Sequence, residues 1–118
     1  MAAEAPGGTG ATAHDISAKL FGAVVRPVPK TAQVTAAGVR ILENSPRRVG
    51  WLIINRSAFD ISVDYVQPID STAAILIAAN GGTISSLVQE DGETTAWELF
   101  GLSPSGNAGI RVIEFITV

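Results

Sequence analysis

The chain has 118 residues, of which 47% are hydrophobic and only 16% charged, with a formal net charge of −3 and no cysteine. That length suits one domain, and the absence of cysteine excludes a disulfide framework or a thiolate metal site. A net acidic chain without basic clusters argues against nucleic acid as a partner, because phosphate binding is driven by such clusters. No stretch approaches the ~20 consecutive apolar residues of a membrane span.

The charge is unevenly placed. Residues 1–30 carry Lys19, Arg26 and Lys30 against Glu4 and Asp15, a net +1, whereas the remainder carries five arginines against nine acids, a net −4. Lysine is scarce and arginine preferred, a bias found at protein–protein interfaces and also produced by a GC-rich genome.

Met1 to Ala13 is Ala, Gly, Thr and Pro with one acid. It has no period and is expected to be disordered. It also lacks a basic segment followed by an apolar run, so no signal peptide is read there, and a soluble protein made in the cytoplasm is expected. From Asp15, a candidate N-cap, Ile16, Leu20, Phe21, Val24 and Val25 form an apolar set with helical spacing. A short helix or an extended hydrophobic arm both fit. Arg26-Pro27-Val28-Pro29 then favours extended, polyproline-like backbone, a stiff spacer. Residues 1–30 are read as an N-terminal arm, flexible or ordered by assembly, and residues 31–118 as the folded domain.

Within that domain short β-branched runs alternate with turn chemistry about every ten residues, the pattern of a sandwich or barrel. Gln33 to Leu42 reads as two short strands about Ala36-Ala37-Gly38, and Asn44-Ser45-Pro46-Arg47 as a turn. Val49 to Asn55 is an apolar run too short for a helix and is predicted to be the most buried strand. After a turn at Asn55-Arg56-Ser57, Phe59, Ile61, Val63 and Tyr65 alternate with Asp60, Ser62 and Asp64, one face apolar and the other wet. Ala73 to Ala79 is the next predicted strand. Asn80-Gly81-Gly82 predicts a hairpin, because a two-residue hairpin needs positive φ at its centre. Thr83 to Val88 returns, Glu90-Asp91-Gly92-Glu93 reads as a solvated turn, and Ala96 to Leu102 and Ile110 to Val118 are the last two strands. Ile110, Val112 and Glu114 share one face of the final strand, and Arg111, Ile113 and Phe115 the other. Two apolar faces predict a central place in a sheet, or burial against another chain. The fold class is all-β: an antiparallel sandwich, jelly-roll-like, of about eight strands behind an extended arm.

Residue types with chemistry are few. The single histidine, His14, lies in the arm, where no rigid second group could hold it as a base. Asp60 and Asp64 could do paired-carboxylate work only at a cleft that separates their pKa values; a solvated strand face is the simpler reading. Glu90, Asp91 and Glu93 could offer hard oxygens to Ca²⁺, but their spacing does not match an EF-hand loop. Gly7-Gly8 and Gly81-Gly82 lack the lysine and Ser/Thr of a phosphate loop. Arg47-Arg48 could make an anion contact or anchor an interface; an ion pair with an acid of the same or a neighbouring subunit is the preferred reading. Trp51 and Trp97 have apolar neighbours and are expected in the core; a carbohydrate-binding module would expose them. No catalytic residue, metal or cofactor is expected.

Pro46-Arg47-Arg48-Val49-Gly50-Trp51-Leu52-Ile53-Ile54-Asn55-Arg56-Ser57 is followed by the Ile61-x-Val63-x-Tyr65 strand and by Gly81-Gly82-Thr83-Ile84. Trp97-Glu98-Leu99-Phe100-Gly101-Leu102 comes next, and Gly109-Ile110-Arg111-Val112-Ile113-Glu114-Phe115 closes the pattern. Over residues 46–115 this resembles small structural proteins of tailed bacteriophages, in which a comparable opening strand begins a β-sandwich. The resemblance implies a virion component: a head decoration or cement protein, or a small head, neck or tail accessory. It brings no catalytic residues. It also implies that the partner is the major capsid protein or another virion protein, that the place of residence is the virion, and that the assembly is a homo-oligomer, a trimer by preference. The residues expected to bind that partner are Ile16, Leu20, Phe21, Val24, Val25, Arg26, Arg47 and Arg48. A carbohydrate- or host-surface-binding module is the alternative, and a small glycan hydrolase a third class.

Overall fold

The computed structural model describes residues 24–118. Eight strands occur there: β1 (Val25–Val34), β2 (Val39–Leu42), β3 (Arg48–Asn55), β4 (Ile61–Asp64), β5 (Ile75–Ile77), β6 (Thr83–Leu87), β7 (Leu99–Leu102) and β8 (Ala108–Thr117). They form two four-stranded antiparallel sheets, ordered β1-β8-β3-β6 and β2-β7-β4-β5. Each strand of the first half pairs with its mirror in the second: β1 with β8, β2 with β7, β3 with β6 and β4 with β5. One long antiparallel ribbon is thus folded back at the β4–β5 end and wound so that successive pairs fall in opposite sheets. This is the winding of a jelly roll.

The core lies between the sheets. Val34, Ile41, Leu42, Trp51, Ile53, Ile61, Val63, Ile77, Leu99, Ala108, Ile110 and Val112 are buried there. Each full-sized apolar side chain among them contributes about 1.5–3 kcal/mol by leaving water. Packing is close at Gly101, where a Cβ would stand 2.5 Å from Ile41 Cδ1 and 3.2 Å from Val34 Cγ1. Only a glycine lets β7 approach the core so nearly. Central placement of the last strand follows from its two apolar faces, and β8 indeed lies between β1 and β3.

Several expectations are revised. Arg26-Pro27-Val28-Pro29 is not a spacer but the start of β1, paired with β8 from Val25 opposite Thr117 to Val34 opposite Ala108. The boundary drawn at residue 30 therefore divides a strand. A proline can sit in a ladder only where its nitrogen faces away from the neighbour, so Pro27 and Pro29 put their missing donors on the free edge of β1. That blunts the edge against further strand pairing. The segment Asp15 to Val25, read as a short helix or an extended hydrophobic arm, lies outside the described residues as far as residue 23; Val25 is strand.

Asn80-Gly81-Gly82 has the positive φ expected, 60° at Asn80 and 104° at Gly81. It does not close a hairpin, however, because β5 and β6 lie in different sheets. Asn55 anchors this crossover: its nitrogen donates to Gly82 O and its carbonyl accepts from Gly81 N, both at 2.8 Å. Its side chain donates to Phe59 O at 2.7 Å and Ile77 O at 3.2 Å. The Ala73–Ala79 strand shortens to Ile75–Ile77, since Ala73 and Ala74 donate back to Asp70 O in a turn. Glu90 to Glu93 is helical rather than a plain turn, split between a helical turn (Val88–Asp91) and a 3₁₀ turn (Gly92–Ala96). That delays β7 to Leu99 and leaves Trp97 outside the core, 44% exposed. Ser62, expected on a wet face, is buried.

Candidate functional site

The residues expected to bind a partner separate into three groups. Ile16, Leu20 and Phe21 lie outside the described residues. Val24, Val25, Arg26 and Arg47 converge on one corner of the sandwich, together with the C-terminus. Val118 N donates to Val24 O at 3.0 Å, and Thr117 N donates to Arg47 O at 2.9 Å. The Arg47 guanidinium in turn donates to Thr117 O. Arg26 lies in register with Ile116. Both arginines are exposed, and the ion pairs among the described residues involve Lys30, Arg40 and Arg48 instead. Among the described residues, neither guanidinium of this corner makes an ion pair, and both stand beside the point where residue 24 enters the sheet.

Arg48 is different. It is 2% exposed, and its Nε and Nη2 lie 2.9 and 2.8 Å from Glu114 Oε1. Its remaining donors reach Glu43 O at 2.6 Å, Trp97 O at 3.2 Å and Thr95 O at 3.4 Å. Lys30 Nζ approaches the other carboxylate oxygen of Glu114 at 3.7 Å. Of the two ion-pair readings for Arg47-Arg48, the structure has the one within the chain at Arg48, and that guanidinium is fully engaged inside the fold. A β-bulge between Arg48 and Gly50 turns it inward, which a strict alternation from Val49 onward does not foresee.

A second feature carries the second apolar face read for the last strand across its neighbours. Pairing places Pro27, Pro29, Phe115, Ile113, Leu52, Ile54 and Leu87 on the outward face of the β1-β8-β3-β6 sheet. In a two-layer antiparallel sandwich the outward face is normally polar. Here Arg111 is the charged residue among the outward positions of β8, β3 and β6. Gly50 lies in the middle of this face, where a Cβ would meet Leu87 Cδ2 at 2.8 Å and Phe115 Cδ2 at 3.2 Å, so the apolar side chains close over the glycine. Towards the far end a groove of about 820 Å³ is lined by Thr31, Gln33, Ile54, Arg56, Arg111 and Ile113. The signal for this face was in the sequence, in the Arg111-Ile113-Phe115 alternation.

Polar side chains elsewhere are engaged in holding backbone. Asp60 Oδ1 accepts from Ala79 N at 2.8 Å, and Asp64 Oδ1 from Tyr65 N at 2.7 Å. Ser86 Oγ donates to Asp91 Oδ2 at 2.8 Å and lies 2.8 Å from Thr95 Oγ1, tying the helical turns to β6. The described residues include no group of three His, Cys, Asp or Glu side chains placed to hold a metal ion. No described helix is long and apolar enough to cross a membrane. Tyr65 and the exposed Trp97 meet edge to face, with ring centroids 5.9 Å apart and planes at 87°. Burial pushes the Tyr65 phenol above its ordinary pKa; a hydrogen bond with Thr94 opposes this, while Asp91 and Asp64 add to it.

Compared with protein-family models, curated proteins and solved structures, the chain gives no match. The class that the fold defines is architectural: a small two-sheet antiparallel β-sandwich.

Proposed function

We propose that this chain is a non-enzymatic structural protein of a tailed-phage virion, a decoration or cement protein that ties neighbouring coat subunits together. The observation that carries the reading is the corner where Val24, Val25, Arg26, Arg47 and the C-terminus meet. An N-terminal segment bearing Ile16, Leu20 and Phe21 precedes this corner, and its two arginines make no ion pair among the described residues. A segment that orders only on assembly loses entropy at that moment but can cover a large partner surface. The likeness of residues 46–115 to phage structural proteins adds to this. So does the winding of the sandwich, by fold-level analogy alone, since jelly rolls recur in capsids and lectins. The sandwich would face outward, with three copies around a local threefold position of the coat.

The test is co-sedimentation with coat shells. Full-length protein is expected to bind at three copies per threefold position, and protein starting at Val24 to lose most of that binding. Equal binding by both forms would refute the clasp. Truncation must begin at Val24, because beginning at Thr31 removes Val25 to Lys30 from the β1–β8 ladder.

One observation favours a second reading, a carbohydrate- or host-surface-binding module. Trp97 is exposed and braced edge-on by Tyr65, and an exposed aromatic ring is the platform on which such modules stack sugars. Specific hits on a glycan array that vanish in Trp97→Ala would favour it over the virion role.

A further inference from the structure

The groove in the β1-β8-β3-β6 sheet takes its depth from Gly109. Strand alternation puts Gly109, Arg111 and Ile113 on one face. Gln33 lies beside Gly109, while Thr31 and Ile54 lie on either side of Arg111. Arg56, just past β3, completes the wall, its backbone nitrogen donating to Gly109 O at 3.1 Å. Beyond its chain neighbours, a Cβ at position 109 would have Gln33 Nε2, at 3.5 Å, as its one contact within 4 Å. A glycine inside a strand weakens it, and marks places where another group comes close to the backbone.

We propose that this groove binds an acidic sugar, a pyranose that carries a carboxylate. The carboxylate would lie between Arg56 and Arg111, the hydroxyls at Gln33 and Thr31, and the ring against Ile54 and Ile113.

Three observations carry the assignment. The side chains of Thr31, Gln33, Arg56 and Arg111 make no hydrogen bond or ion pair among the described residues. Elsewhere such groups hold backbone; here four of them line one concavity. Their chemistry is also selective. A guanidinium only donates and matches a carboxylate with two parallel bonds, whereas amide and hydroxyl both donate and accept, as sugar hydroxyls do. Apolar surface with a few converging polar groups is the make-up of a small-molecule site. The groove volume of about 820 Å³ falls within the ~300–1,000 Å³ of such sites. Finally, the groove lies in mid-sheet, where β8 is paired on both sides. An extended acidic peptide docks by pairing with an open edge; here its amides and carbonyls would find no ladder. A sugar has no backbone to satisfy.

The inference does not rest on the virion reading. It also places the ligand apart from Trp97, which borders β7 of the other sheet.

The test is titration of ¹⁵N-labelled full-length protein with oligomers of galacturonate and of glucuronate. The amides of Thr31, Gln33, Gly109 and Arg111 are expected to shift. Methyl esters of the same oligomers keep the rings and lose the charge, and should bind about tenfold more weakly or worse. Arg56→Gln and Arg111→Gln should weaken the acidic oligomers by a similar factor. Gly109→Val fills the floor with a residue that suits a strand, and should abolish binding while the shifts of Val112 and Ile53 show an intact core. Trp97→Ala should change nothing. Absence of shifts with both oligomers at millimolar concentration, or binding that survives Gly109→Val, would overturn the site. Equal binding of tetraglutamate would overturn the sugar and give the groove to an acidic peptide. Loss of binding in Trp97→Ala would overturn the proposal too, moving the sugar to the aromatic pair.

Discussion

Replacing Arg48 by Met removes a guanidinium that the fold surrounds on every side. The side chain is 1% exposed while that of Glu114 is 12% exposed, so the pair has little water to fall back on. Taking one partner from a buried pair costs about 3–5 kcal/mol, because the other charge is left without compensation. Here Glu114 keeps Lys30 at 3.7 Å, which moves the expectation towards the lower end. Against this, the buried Thr95 O and the half-buried Glu43 O and Trp97 O lose a donor, and an unsatisfied acceptor costs about 1–3 kcal/mol where it is buried. Arg48→Met should therefore lose about 3–4 kcal/mol, a large share of the ~5–15 kcal/mol that holds a typical domain together. The assay is urea unfolding, with the midpoint falling at unchanged slope. The double variant Arg48→Met, Glu114→Leu separates the two contributions. If the ion pair were all that mattered, an apolar pair of similar volume would restore stability. Because Arg48 also ties the loop at Glu43 and the 3₁₀ turn at Thr95 to β3, a deficit of at least about 1 kcal/mol should persist. A loss below about 1 kcal/mol in Arg48→Met, or full recovery in the double variant, would refute the view that Arg48 clamps three segments at once.

Trp51 is buried with its Nε1 unpartnered, so Trp51→Phe should cost less than about 1.5 kcal/mol while Trp51→Ala costs about 3–5 kcal/mol. Acrylamide quenching should resolve two tryptophans, the protected one disappearing in Trp51→Phe and the accessible one in Trp97→Phe. At Gly82 an added Cβ would sit 2.3 Å from Ala78 O and 2.8 Å from Ala78 N. Since backbone cannot swing aside, Gly82→Ala should destabilise by about 2–3 kcal/mol in the same urea assay, more than Gly101→Ser if the flexible Ile41 tip gives way. Tyr65 is the single tyrosine, and its phenol pKa is raised above 10.0, first by burial. Absorbance titration should therefore give one midpoint above that value. The sign follows: with the folded pKa above the unfolded one, this contribution is complete below pH ~10 and is lost as pH rises through the folded value.

Much of the strand inventory was legible because it rests on local pattern. Val49–Asn55 and Ile110–Val118 declare themselves by β-branched residues and alternation, and the described strands overlap both. Tertiary pairing is a different matter. Asn80-Gly81-Gly82 dictates positive φ, which a hairpin and a sheet-to-sheet corner share; which one forms depends on whether β6 finds more partner surface on β5 or on β3. Pro27 and Pro29 restrict φ to values common to polyproline and edge-strand backbone, so only the presence of β8 alongside decides between spacer and strand. The corner that gathers Val24, Arg26, Arg47 and Thr117 joins residues up to about ninety positions apart, and no window on the sequence spans it.

By itself the sequence determined the all-β class, the approximate number of strands, the positive-φ corners and the amphipathic or doubly apolar character of each run. These follow from steric limits on single residues and from the two-residue period of a strand, which act within a few positions. Only the tertiary structure decided that Arg48 turns inward to Glu114, that Trp51 is buried while Trp97 is not, and that the apolar residues of β8, β3 and β6 line up on one outward sheet face. Each of these depends on which distant strand lies alongside. Burial and ion pairing are properties of the space between segments, and that space exists only once the ribbon has been wound.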